Sequence, residues 1–192
     1  MGSAPNIAGI IMQTPLRVGC LLVLALGLQA ATLEYLSLED MAAKSTAIVR
    51  GRVVSTGTGA RGPLIYTQYT IQVLERLKGP EASQVDVVIL GGTSQGLSQT
   101  FSGAPQLGGG VDYLLFLWTG PSGLAQIIGL SQGVFQLQKD DNGEWIATRA
   151  AASETMLDQK TGRLVNDQAI RLRLTDLRSR VRAGSSPGGA SQ

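Results

Sequence analysis

The sequence predicts a mainly β domain, a small closed sheet with a short helix before it and an amphipathic helix after it. Three observations carry this. Residues 65–77 alternate, with Ile65, Tyr69, Ile71 and Val73 on one face and Gln68, Thr70, Gln72 and Arg76 on the other. That is the period of a half-buried strand. Further apolar runs at 48–55, 85–90, 111–118, 125–130 and 134–138 follow between Gly, Pro and Asn punctuation. Near the C-terminus the period changes: Ile170, Leu174, Leu177 and Val181 fall at i, i+4, i+7 and i+11, one helical stripe.

The first element reads as an address. Arg17 precedes an apolar run at 18–28, which Gln29, Ala30 and Ala31 follow. A basic flank, a short apolar core and small exit residues make a secretory signal peptide over residues 1–31, with Met12 as an alternative start. The run is too short for a permanent membrane span. Cys20 lies near the start of the run, whereas a lipid-bearing cysteine follows it. The expected product is a secreted or periplasmic protein beginning near Ala31 or Thr32.

A β-barrel domain is expected over 37–166. Ser37-Leu38-Glu39-Asp40 has the form of a capping box, opening a helix that runs to about Ser45. Residues 48–55 form the first strand, where Gly51 marks a bend or close backbone approach. A polar connection is expected at 56–63, then the alternating strand, then a third strand at 85–90 with Val85, Val87 and Ile89 facing inward. Residues 111–118 are nearly all apolar and predict a central strand. Asp141-Asn142-Gly143 between 134–138 and 144–148 is a hairpin turn. Asp140, Asp141 and Asn142 lack the spacing and distal Glu of a calcium loop. Residues 150–161 are weakly structured, and 161–165 is a last edge strand. A basic amphipathic helix is expected at 167–183, and 184–192 reads as a disordered tail.

Five or more short strands and a terminal helix fit an OB-like closed barrel better than a sandwich. Three stretches carry a family resemblance: Ala47-Ile48-Val49-Arg50-Gly51-Arg52-Val53, the run from Tyr69 to Gly79, and Tyr113-Leu114-Leu115-Phe116-Leu117. They resemble secreted bacterial proteins of uncharacterised function. The barrels of those proteins look like the N-terminal domain of tissue inhibitors of metalloproteinases and netrins. The resemblance spans roughly residues 38–137 and implies a fold, not an activity. Those inhibitors act through an N-terminal cysteine held by disulfides, which this chain lacks.

Composition bounds the chemistry. The 192 residues are 43% hydrophobic and 5% aromatic, enough for one core built mainly from Val, Leu and Ile. There is no histidine, and Cys20 is the only cysteine. Disulfides, Cys/His zinc sites, Cys nucleophiles and Ser-His-Asp triads are therefore excluded from the exported chain. No catalytic, metal-ligating or cofactor-binding set is named, and no cofactor is expected.

Two candidate interaction regions remain. Residues 91–110 hold seven glycines and no charge, and long loops of that kind are usually functional or mobile. Gly91, Gly92, Gly96, Phe101, Gly103 and Gly108 are its candidate contacts. The charge distribution supplies the second. Residues 31–159 carry eight Lys/Arg against twelve Asp/Glu, whereas residues 160–192 carry seven Lys/Arg against two Asp. Arg171, Arg173, Arg178, Arg180 and Arg182 form the candidate basic face. The expected function is an exported binding module for an unknown protein or envelope partner, without nucleic acid and without a stable membrane span. The alternatives are a secreted enzyme using carboxylate or Lys chemistry and a structural envelope protein.

Overall fold

The computed structural model describes residues 32–185. The signal segment, the alternative start at Met12 and residues 186–192 lie outside the described residues. In chain order the elements are β1 (Leu33–Glu34), α1 (Leu38–Lys44), β2 (Ala47–Arg61), β3 (Leu64–Lys78), β4 (Gln84–Leu90), β5 (Gly92–Ser94), β6 (Leu97–Gln99) and β7 (Asp112–Thr119). There follow β8 (Ala125–Ile127), a 3-10 turn (Leu130–Gly133), β9 (Val134–Lys139), β10 (Trp145–Arg149), β11 (Met156–Asp158), β12 (Arg163–Val165), β13 (Ile170–Arg173) and α2 (Leu174–Ser185).

The capping box forms as expected. Ser37 Oγ accepts from the Asp40 N–H at 3.0 Å, and the Ser37 N–H donates to Asp40 Oδ2 at 3.3 Å. These bonds satisfy donors that a seven-residue helix would otherwise leave open. Helix α1 then buries Leu38, Met41 and Ala42.

The connection expected at 56–63 is instead paired strand. Thr56 pairs with Tyr69, Gly59 with Tyr66 and Arg61 with Leu64, so only Gly62 and Pro63 turn the chain. Cross-strand partners supplied by β3 outweigh the weak strand propensity of Gly57 and Gly59. The close approach expected at Gly51 is present. The β2–β3 register shifts between Arg50 and Gly51, and a Cβ on Gly51 would lie 2.4 Å from Ile71 Cγ2 and 2.6 Å from the Gln72 carbonyl oxygen.

The fold is mainly β. The large sheet has the order β13-β10-β9-β7-β2-β3-β4-β8, and β8 also pairs with β7. A three-stranded sheet (β1-β11-β12) and the β5–β6 hairpin complete it. The sheets do not close into a clear barrel. Strand β8 meets β4 at the single pair Val87–Ala125, while β9, β10 and β13 carry the sheet onward beyond β7.

Strand β7 is central and buried on both faces, which explains its unbroken apolar run. Leu114 and Phe116 enter one core with α1, α2 and Phe135. Tyr113, Leu115 and Leu117 enter the other with Val49, Ile71 and Val87. The expected turn between β9 and β10 forms, with Asp140 Oδ1 accepting from the Asn142 and Glu144 N–H groups at 2.9 Å each.

The C-terminal helix begins later than expected. Ile170–Arg173 is strand β13, antiparallel to β10. Ile170, Leu172 and Leu174 also satisfy a period of two, and the open edge of β10 offers backbone bonds that a free helix start lacks. The docked stripe is therefore Leu174, Leu177 and Val181, each at most 1% exposed. At the other end the helix takes in Gly184 and Ser185, expected in the tail. Gly184 sits so close to α1 that a Cβ there would lie 2.8 Å from the Glu39 carbonyl oxygen. No helix among the described residues is long and apolar enough to cross a membrane.

Candidate functional site

The site forms where the inner face of β3 and β4 runs out from under the core. Alternation puts Ile65, Thr67 and Tyr69 on that face, and Ile89 joins them from β4. At the end of β4 the chain turns through Gly91 and Gly92, with φ of 104° and 130°. Side chains rarely adopt these angles. The Gly91 N–H donates to the Ile65 carbonyl at 2.9 Å, and Thr67 Oγ1 donates to the Gly91 carbonyl at 2.8 Å. A Cβ on Gly92 would stand 2.6 Å from Thr67 Oγ1, so only glycine lets the backbone lie against β3.

Residues 91–110 are thus not the structureless loop that glycine content alone suggests. The β5–β6 hairpin turns through Gln95 and Gly96, both at positive φ. Gln99 then acts like a peptide unit of a neighbouring strand. Its Oε1 accepts from the Ile65 N–H at 2.6 Å and its Nε2 donates to the Pro63 carbonyl at 2.7 Å. Further on, Leu107 enters the second core at 6% exposure. The Gly108 N–H donates to Tyr113 Oη at 2.8 Å, and Gly109 bridges to Val53.

Between this segment and the sheet lies a cleft of about 230 Å³. Thr67, Tyr69, Ile89, Thr100, Phe101 and Gln106 are among its walls, and no lining residue carries a charge. Tyr69 is only 7% exposed. Tyr69 lines the cleft, and among the described residues no hydrogen bond engages its hydroxyl. The other core tyrosine of this sheet, Tyr113, has its hydroxyl engaged by Gly108.

Of the six expected contacts, Gly91, Gly92 and Phe101 line the cleft. Gly96 is at the hairpin tip, Gly108 is tied to Tyr113, and Gly103 packs near Leu130 and Glu154. Sequence reasoning missed Thr67, Tyr69 and Gln99. The available signal was two hydroxyl-bearing residues on the inward face of an otherwise aliphatic strand.

The arginines divide between two elements. Arg171 and Arg173 lie on β13, and Arg178, Arg180 and Arg182 on α2, so they do not form one helix face. Arg173 pairs with Glu144 at 3.2 Å, Arg178 pairs with Glu75, and Arg180 grips Glu39 through two bonds of 2.7 and 3.0 Å. Arg182 is also engaged, while Arg171 is exposed. The hydrogen bonds from Arg180 hold the Glu39 carboxyl below its ordinary value, against a smaller opposing effect of burial.

Two other features lie apart from this cleft. A larger, mostly apolar cleft of about 410 Å³ lies beside Trp118. Its amide and charged side chains are already committed: Gln132 bonds the Leu36 N–H and the Glu34 carbonyl, and Lys44 pairs with Glu34 at 2.5 Å. A second cluster sets Asp112 between Arg50 and Arg52, each 2.8 Å away, with the Arg50 guanidinium 4.1 Å from the Trp145 ring centroid. Burial pushes the Asp112 carboxyl up, but the bonds from both arginines outweigh it and leave the value lowered. This cluster ties β2, β7 and β10 together. Among the described residues, no group of three or more His, Cys, Asp or Glu could hold a metal ion. No protein-family model matches this chain, and no curated protein matches it.

Proposed function

We propose that the protein is an exported, non-catalytic binding module whose ligand group enters the cleft between β3–β4 and residues 91–110. The single observation that carries this reading is the uncharged, hydroxyl-lined cleft, one wall of which is Tyr69, a residue only 7% exposed. Binding sites combine apolar walls with a few placed polar groups, as this cleft does. An ionic group placed there would meet no compensating charge, so the ligand group is neutral.

The accompanying fold reading is an OB-like barrel. Its support is the run of pairings β7–β2–β3–β4–β8 with the return of β8 to β7. Export through residues 1–31 to the periplasm or medium rests on the apolar run behind Arg17.

The test is affinity capture from culture medium and envelope extract with the exported protein and with Thr100→Trp. Thr100 is an exposed cleft residue, so the bulky ring narrows the mouth without entering the core. The expected result is a ligand retained by the parent and lost on the variant, with both proteins melting alike. Equal capture by both proteins refutes the cleft.

A further inference from the structure

We infer that the group taken by this cleft is a neutral sugar ring, and that Tyr69 supplies the hydrogen bond at its floor. The inference rests on the binding reading above and narrows the ligand class. Four features of the cleft support it.

The first is size. A volume of about 230 Å³ lies below the roughly 300 Å³ at which sites for drug-sized ligands begin, so the cleft takes one ring. The second is charge. No lining residue can neutralise a carboxylate, phosphate or ammonium group, and an unpaired charge is costly to desolvate. The third is the balance of surfaces. Phe101 offers an aromatic wall and Ile89 an aliphatic one, while Thr67, Thr93, Ser98 and Thr100 bring hydroxyls. A sugar ring presents the same mixture, C–H groups on its faces and hydroxyls at its edge, and the faces pack on aromatic walls as apolar groups do.

The fourth is the Tyr69 hydroxyl. Thr67 already donates to Gly91, and both polar atoms of the Gln99 amide are committed to β3 backbone and Pro63. Tyr69 is the least exposed of the hydroxyl-bearing residues that line the cleft, and among the described residues no hydrogen bond engages its Oη. A hydroxyl on the ligand can satisfy it in both directions.

The experiment is a titration of the exported protein followed by backbone amide NMR. The probes are a neutral hexose, a neutral linear trisaccharide, a uronic-acid disaccharide and an uncharged Ser/Gly tripeptide. The neutral saccharides are expected to move the resonances of Thr67, Gly92 and Thr100. Tighter binding of the trisaccharide identifies a residue of a polymer, and equal binding identifies a free sugar; both support the inference. Tyr69→Phe removes a hydroxyl that no protein group uses, so the melting temperature should hold while affinity falls about five-fold. Full affinity in Tyr69→Phe overturns the role of that hydroxyl. Tighter binding of the uronic acid overturns the neutral class. Shifts with the tripeptide alone overturn the sugar but leave the cleft as a binding site. If no probe moves these resonances and Thr100→Trp also captures as well as the parent, both readings fall.

Discussion

At Gly51 the smallest possible change, one added methyl, should have a large effect. An added methyl would sit 2.4 Å from Ile71 Cγ2 and 2.6 Å from the Gln72 carbonyl oxygen. Favourable carbon contacts lie at about 3.5–4.0 Å, so the methyl would overlap Ile71 Cγ2 by about 1 Å or more and also press on the Gln72 carbonyl oxygen. Neither neighbour yields easily. Ile71 is fully buried, and Gln72 belongs to the β3 backbone that pairs with both β2 and β4. Overpacking of this kind costs about 1–3 kcal/mol, occasionally more, and Gly51→Ala should fall at the upper end of that range. For a domain of this size each kcal/mol lowers Tm by about 2–4 °C, so thermal unfolding followed by circular dichroism should show a drop of roughly 4–12 °C. Gly57→Ala is the control. It lies on the same strand, a Cβ there meets nothing within 4 Å and its φ is not positive, so its Tm should stay within about 2 °C of the parent. Equal melting of both variants with the parent would show that the strand does not press on Ile71 as described.

The Asp112 carboxyl has a lowered folded value, so its stabilising contribution is fully present above its unfolded value of 3.8 and is lost as pH falls through the folded one. Asp112→Asn should lower stability at neutral pH and flatten the acid limb of a urea-unfolding series; an unchanged acid limb contradicts the pairing. Arg149 and Asp167 form a pair 2.6 Å apart with side chains 4% and 2% exposed. Asp167→Ala should cost about 3–5 kcal/mol in urea unfolding because it strands a buried guanidinium, and a change under 1 kcal/mol would refute that burial. Leu107→Ala should cost about 2–5 kcal/mol, whereas replacing the exposed Leu97, 69% accessible, should leave the urea midpoint unmoved. The reverse order would mean that residues 91–110 are anchored at the hairpin instead of at Leu107. Mass spectrometry of exported protein should find an N-terminus near Ala31 or Thr32, and a full-length chain in the exported fraction would exclude cleavage.

Local chemistry was legible in the sequence wherever neighbours in the chain settle the outcome. Ser37 and Asp40 meet because they are one helical turn apart. The alternation of β3, the unbroken run of β7 and the Asn142-Gly143 turn declare themselves for the same reason, since backbone period and turn sterics act over a few residues. Tertiary structure decided the rest. Ile170, Leu172 and Leu174 obey a strand period while Ile170, Leu174 and Leu177 obey a helical one, and the free edge of β10 selects the strand up to Arg173. The arginines look like one basic face until Glu39, Glu75 and Glu144, distant in the chain, come to meet Arg180, Arg178 and Arg173. The cleft was the least legible feature. Tyr69 is an ordinary inward-facing residue of an alternating strand. Only the placement of Gly91, Gly92 and Phe101 beside it makes this nearly buried residue a wall of the cleft.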